Sequence, residues 1–227
     1  MKPLRRVKIN WSPNFAYAIG LLTTDGNLSK DGRHIELTSK DEEQLKNFLK
    51  CLNTKNKISF KHSGSGKLHK RVQIGDVNFY RFLTSIGLMA RKTKIIKAVK
   101  IPNKYFFDFL RGHFDGDGSF YSYWDPRWKS SYMFYTVFVS ASKNHIDWLR
   151  KRIFNFIKIK GYISKSVNDS TYQLKYAKTE SLKLFPRLYY DKDVICLSRK
   201  RLKIEKAFEI NKKRAGGEIG KLATLRW

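Results

Sequence analysis

Two nine-residue stretches constrain this chain more than anything else in it: Ala18-Ile19-Gly20-Leu21-Leu22-Thr23-Thr24-Asp25-Gly26 and Leu110-Arg111-Gly112-His113-Phe114-Asp115-Gly116-Asp117-Gly118. Each has glycine at its third place and closes on Asp-Gly. Each follows an aromatic-rich apolar run, Phe15-Ala16-Tyr17 or Tyr105 to Phe109. Read as helices, the stretches put small residues four apart on one face, Gly20 with Thr24 and Gly112 with Gly116. Small side chains at that spacing let two backbones approach closely. The rule is best known from membranes, but its steric basis holds in water. Gly26 and Gly118 end the helices. Asp25 and Asp117 then sit in the last turn, where the helix dipole disfavours a carboxylate by roughly 0.3–1 kcal/mol. If the helices pack side by side in parallel, both acids converge, and divalent metal is their natural counter-charge.

The chain has 227 residues and a formal net charge of +28, from 47 Lys+Arg against 19 Asp+Glu. A hydrophobic content of 41% leaves room for a real core. The basic excess is spread along the chain, which points to a polyanionic partner, most simply nucleic acid. An anionic membrane is the competitor. No apolar run reaches the roughly 18 residues of a spanning helix, and Met1 to Asn10 lacks a secretory core. Two distant cysteines, Cys51 and Cys196, indicate neither a disulfide framework nor a zinc site, and the five histidines are scattered. An intracellular, reducing setting is expected, either bacterial cytoplasm or an organelle.

The pattern predicts a helix from the Ser12 cap and Pro13 to about Thr24, then a loop over Asn27 to Gly32. Arg33 to Thr38 alternates as a strand with Ile35 and Leu37 inward. A helix follows to about Leu52, then strands at Lys57–His62 and Lys70–Ile74 around a turn at Ser63–Gly66, with Ile58, Phe60, Val72 and Ile74 inward. Val77 to Ile86 and Thr93 to Val99 read as helices, the second short and basic. After the second motif helix come a polar, aromatic loop from Ser119 to Ser131 and a strand from Tyr132 to Ser142 of unclear inward face. A helix over Lys143–Ile157 leads to a hairpin of Gly161–Val167 and Thr171–Ala177 turning at Asn168-Asp169. Two last helices span Thr179–Tyr190 and Leu202–Ile210. The halves align at Thr38-Ser39-Lys40 with Ala141-Ser142-Lys143, at Ile58–Ile74 with Ile163–Tyr176, and at Met89–Thr93 with Leu197–Arg201. Each reads α-β-(β)-α-β-β-α-α, a tandem duplication of about 90–110 residues. The expected division is 1–100, 101–211 and a weakly patterned basic tail, 212–227.

The paired motifs resemble those of the LAGLIDADG homing endonucleases in their single-chain, two-motif form, over roughly residues 12 to 210. The resemblance implies an α/β chain of α+β type with pseudo-twofold symmetry: two mainly antiparallel sheets form a DNA-binding saddle around two central packed helices. It implies a monomer that cleaves both strands of double-stranded DNA at a long, pseudo-symmetric site, using two or more Mg²⁺ ions, with Mn²⁺ or Ca²⁺ able to replace them in binding. Asp25 and Asp117 match the metal-binding acids. Thr24 and Gly116 match positions whose backbone carbonyls help hold metal, and Gly20 and Gly112 match the close-packing positions. Lys92 and Lys200 are the repeat-related candidates for the basic residue near each scissile phosphate; Arg91 and Lys94 remain open. Ser39 and Ser142 stand where a longer amide is common. Thr23 replaces the motif's first Asp, which Asp115 retains in the second copy.

Phosphodiester hydrolysis needs an activated water, neutralised phosphate charge and a stabilised leaving oxygen, all of which metals between carboxylates supply. No Ser-His-Asp or Cys-His set is visible. Opposite the inward strand positions lie His34, Glu36, Thr38, Ser59, Lys61, Arg71 and Gln73, and in the second half Gln173 and Lys175. Such a sheet face can read the major groove. The rival readings are an intron maturase, which binds structured RNA to assist splicing, and a DNA-binding regulator on a decayed nuclease scaffold. The retained Asp25 and Asp117 favour the nuclease.

Overall fold

The structure is a computed structural model and describes residues 6–62, 66, 68–128, 131–166 and 169–215. Helix α1 (Pro13–Thr24) starts as its sequence dictates: the Ser12 side chain accepts from the Phe15 amide at 3.1 Å, with Pro13 in the first turn. It leads through β1 (Gly26–Leu28), β2 (His34–Ser39), α2 (Glu42–Leu52), β3 (Ile58–His62) and β4 (Leu68–Gly75) to α3 (Val77–Ser85). The second half repeats the order: α4 (Phe106–Asp117), β5 (Ser119–Trp124), β6 (Tyr132–Ser140), α5 (Lys143–Ile157), β7 (Tyr162–Lys165), β8 (Tyr172–Tyr176) and α6 (Lys178–Leu188). A last helix, α7, spans Ser198–Ala215. The strands form two antiparallel four-stranded sheets of the same topology, β1-β2-β4-β3 and β5-β6-β8-β7. Ile35, Leu37, Val72 and Ile74 are buried, as alternation requires.

Six expectations change. The loop after α1 opens as strand β1, whose pairing with β2 is a tertiary event that Gly26-Asn27-Leu28 does not advertise locally. The aromatic loop after α4 is β5 as far as Trp124; its rings fit the strand propensity that its serines obscured. The strand β6 ends at Ser140 and buries Tyr132, Phe134, Thr136 and Phe138 on its inward register, while Val137 on the other face is covered as well. Phe60 shares the inward side with Ile58 but lies towards the far end of the β3–β4 hairpin and is 60% exposed. Over Thr93 to Val99 only a 3-10 turn at Lys92–Lys94 forms. There the second half claims carbonyls that a helix would use itself: Ser142 Oγ bonds to Ile96 O, and His145 Nδ1 to Lys97 O. The last helix begins four residues before its predicted start and runs past Ile210, through Lys212 and Lys213. The turn residues Ser63–Ser65 and Asn168, and the tail beyond Ala215, lie outside the described residues.

The connection into α7 crosses back to the first half. Asn47 on α2 donates to Cys196 O at 2.8 Å, Glu43 accepts from Ser198, and Arg199 pairs with Asp41 at 2.6 Å. Among the described residues no helix is long and apolar enough to cross a membrane. Cys51 and Cys196 are both free thiols.

Candidate metal centre and nucleic-acid interface

The two motif helices lie parallel and in register, and glycine makes this possible. A Cβ on Gly20 would fall 2.2 Å from Phe109 O, and one on Gly112 would fall 2.1 Å from Tyr17 O. One turn further on, a Cβ on Gly116 would meet Thr24 Oγ1 at 1.9 Å and Asp25 Oδ2 at 2.9 Å. All four expected interface residues, Gly20, Thr24, Gly112 and Gly116, therefore lie in the seam. The same contacts carry Asp25, the C-cap of α1, and Asp117, the last residue of α4, to one end of the pair.

The two carboxylates sense each other. Burial, and then the charge of Asp117, push Asp25 up to about 6. Burial also raises Asp117, against the pull of Lys92 and Lys200. Asp25 is steadied by Gln44 Nε2 at 2.7 Å, and Ser39 Oγ donates to Gln44 Oε1 at 2.9 Å, so Ser39 orients the amide. Among the described residues Asp117 has no such donor. Gln44 escaped the sequence reading, although a signal existed. It lies on the α2 face of Leu45, Phe48 and Cys51, and a polar side chain buried in an apolar stripe calls for a partner.

Lys92 and Lys200 arrive as the repeat alignment predicts, one from each half, and both are buried. Their ammonium groups turn to the helix-end carbonyls. Lys92 Nζ reaches Gly26 O and, at 3.3 Å, Thr24 O. Lys200 Nζ donates to the carbonyls of Phe114 (2.6 Å), Asp115 (2.8 Å), Gly116 (3.2 Å) and Gly118 (2.6 Å). Burial lowers each lysine to about 8, against the pull of nearby carboxylates: Asp117 and Asp25 for Lys92, Asp115 foremost for Lys200. Arg91, in the left-handed region at φ 56°, and Lys94 are exposed. Asp115 is fully enclosed. Its Oδ2 accepts from Tyr17 OH and from the Leu197 amide, both at 2.7 Å, while Oδ1 has no partner; burial lifts it to about 6.

Beneath Asp117 the second half has a histidine pair instead of an amide. His145, the third residue of α5 as Gln44 is of α2, stacks on His113. His145 Nδ1 lies 2.7 Å from Lys97 O and so carries the proton; its Nε2 then accepts from His113 Nε2–H at 3.1 Å. His113 Nδ1 is left as a buried acceptor without a partner. Burial keeps both rings neutral, His145 down to about 4.

These residues fit divalent metal. Two mutually repelling carboxylates, set at the negative ends of two helices, are hard oxygen donors suited to Mg²⁺, Mn²⁺ or Ca²⁺, and the adjoining carbonyls already attract cationic groups. Among the described residues no group of three or more His, Cys, Asp or Glu is placed to hold a metal ion, so the protein side chains offered here are the two carboxylates alone.

Register puts His34, Glu36, Thr38, Ser59, Lys61, Arg71 and Gln73 together on the outer face of the first sheet, and Gln173 and Lys175 on that of the second. Lys61 and Gln73 are exposed there. Glu36 is enclosed: Lys61 Nζ and Arg71 Nη1 each reach its carboxylate at 2.6 Å. Burial would raise that carboxyl, but the two cations outweigh it and hold it low. His34 is held at 2.5 Å by Asp31.

A family profile described as the LAGLIDADG-like domain matches residues 12–87. A search of the curated proteins finds no match. Among solved structures, full-length DUF199/WhiA from Thermatoga maritima is similar at 16% identity and a TM-score of 0.58, over 95% of this chain. The chain spans 65% of that protein's length. The homing endonuclease I-WcaI, bound to its DNA recognition sequence, is similar at 14% identity and a TM-score of 0.58, over 87% of this chain and 88% of its own. An I-DmoI variant in complex with its target DNA in the presence of manganese is similar at 15% identity and a TM-score of 0.50, over 80% and 96%. These likenesses show a shared fold. The profile places a LAGLIDADG-like domain in the first half, and along nearly its whole length, with a motif pair packed at its centre, the chain shares the fold of these homing endonucleases and of DUF199/WhiA.

Proposed function

We propose that the chain is a site-specific endonuclease that cuts both strands of double-stranded DNA with divalent metal, Mg²⁺ first. The observation that carries this reading is the convergence of Asp25 and Asp117 at the joined ends of two glycine-packed helices. Bound there, metal would activate water and neutralise the phosphate. Asp25 and Asp117 would hold it, and Gln44 would keep the Asp25 carboxylate aimed. The outer sheet faces would meet the duplex, with Lys61, Arg71 and Gln73 in one half and Gln173 and Lys175 in the other. The net charge of +28 makes the affinity strongly salt-dependent. The relatives solved with DNA support this choice of partner.

A second reading, a DNA-binding protein that does not cut, draws on one observation: Lys92 and Lys200 occupy the Thr24 and Gly116 carbonyls that would help hold metal. Incubation of the protein with a randomised duplex library and Mg²⁺, followed by sequencing of the ends, separates the two. Staggered, site-specific breaks that vanish in both Asp25→Asn and Asp117→Asn support the nuclease. Intact DNA that is still bound supports the binder, and breaks that persist in Asp117→Asn overturn the site.

A further inference from the structure

The two sheets turn different chemistries outward. The outer face of the first carries Glu36, Lys61 and Arg71. In the second, β5 and β6 set Tyr121 opposite Tyr135 and Tyr123 opposite Met133. The rings of Tyr121 and Tyr135 stack with centroids 5.3 Å apart, and those of Tyr123 and Tyr135 lie 6.3 Å apart. They cover one another's faces, so edges and hydroxyls are what they leave at the surface; Tyr121 is 39% exposed and Tyr123 42%. Further along the same face, Val139 lies opposite Gln173, and Lys175 follows two residues on. Among the described strand residues of this face there is no acid and no arginine, and Lys175 carries the only charge. Among the described residues the Gln173 amide bonds to no other group.

A duplex shows its base edges in the major groove, where the four base pairs differ. Guanine is taken best by arginine or lysine, and the amino group of cytosine by a carboxylate. The first face owns such groups; the second has a lone lysine. Thymine shows a methyl group that apolar side chains contact, and adenine an amino group and N7 that a single amide can take together. The second face has both parts: an unbonded amide beside a valine, then methionine and tyrosine edges. Cross-strand aromatic pairs also strengthen a sheet, but that does not account for the free amide, or for so little charge in a chain of +28. We propose that the second sheet selects a half-site rich in A·T pairs: Gln173 takes an adenine edge, Val139 meets the methyl of the thymine paired with it, and Met133 and the tyrosine edges meet thymine methyls further along. Lys175 serves a phosphate. The inference rests on the reading that both outer sheet faces meet duplex DNA, and names the sequence class that one of them prefers. The net charge of +28 favours that occupant over a second copy of the chain, whose own charge would repel.

The test selects duplexes bound by the whole chain from a randomised library without Mg²⁺, so that none is cut, and sequences them. One half of the selected site should be richer in A·T pairs than the other. Deoxyuridine in place of thymidine removes the methyl alone, and in that half it should weaken binding about fourfold at each contacted position. Gln173→Ala should relax the adenine preference at one position of the same half about tenfold. Val139→Ala should remove the deoxyuridine effect at the neighbouring thymine. Val139→Thr keeps a methyl group there and should retain the effect, which separates a lost contact from a loosened sheet. Halves of equal A·T content, thymines that tolerate deoxyuridine, or a Gln173→Ala profile that is unchanged or changed only in the other half overturn the inference and leave the endonuclease reading standing. A dimer held through this face and dispersed by Tyr135→Lys gives the face to a second copy and also overturns the inference alone. A chain that selects no duplex overturns the DNA reading, and the inference with it.

Discussion

The two halves share a topology strand for strand, yet each finishes its motif helix in its own way. In the first half, Asp25 is held by an amide, Gln44, which is aimed in turn by Ser39. In the second half, the third residue of the matching helix is His145, which turns to His113 and leaves Asp117 without a side-chain donor among the described residues. The outer sheet faces differ as well: an ion-paired network on Glu36 in one, a tyrosine stack in the other. What stays equal is the glycine seam and the buried lysine, because steric contact and unsatisfied helix ends leave no alternative. What differs lies where local hydrogen bonding can be solved more than once.

The largest effect tests the part that should be equal. Gly20→Ala and Gly112→Ala each drive a methyl group into a backbone carbonyl, so each should cost about 3 kcal/mol or more by denaturant unfolding. A large cost at one glycine alone would break the symmetry. The lysines come next. Lys200 serves four carbonyls and Lys92 two, so Lys200→Met should destabilise by about 2 kcal/mol and Lys92→Met by about half that.

A smaller, sharper test removes the amide. Gln44→Leu takes from Asp25 a bond that favours its ionised form, so its carboxyl should rise above about 6. Metal affinity at neutral pH, read by calorimetry, should then fall about tenfold. His145→Leu should leave that affinity unchanged. The smallest effect is on pH. Asp25 and Asp115 both sit at about 6 in the folded chain, above the ordinary value of 3.8. Between those values the native state holds protons that the unfolded chain has released. From these carboxyls the metal-free protein should gain on the order of 1 kcal/mol each as pH falls from about 7 to about 5, opposed in the same window by His113 and His145, which the unfolded chain protonates and the native state keeps neutral. Asp25→Asn should lose part of that gain, and its melting temperature should no longer respond to metal.

The paired motif helices, both sheets' central strands and the lysine pair were legible in the sequence, because each rests on a local rule repeated in both copies: glycine spacing, alternation, or a matched Arg-Lys step. The strands β1 and β5 were not, because a short strand next to a helix-ending glycine is stabilised by its partner and not by its own composition. Nor was the missing helix at Thr93–Val99, whose carbonyls are taken by residues about 46 and 48 positions on, in the other half. The roles of Gln44 and Asp115 belong to the same class: Asp115 stands out as a motif position and Gln44 as a polar residue on an apolar helix face, but neither reveals its partner, 98 or 19 positions away.

The enclosed Asp115 oxygen, shared by Tyr17 from one copy and the Leu197 amide from the other, bears on the chain's ancestry. In a dimer of first halves, Thr23 would stand where Asp115 does, a shorter, neutral hydroxyl that donates to Ile19 O in place of a carboxylate. In a dimer of second halves, Phe109 would stand where Tyr17 does, with no hydroxyl to give. Each copy therefore supplies a part of this contact that the other does not carry, and a symmetric pair of either half would lack one side of it.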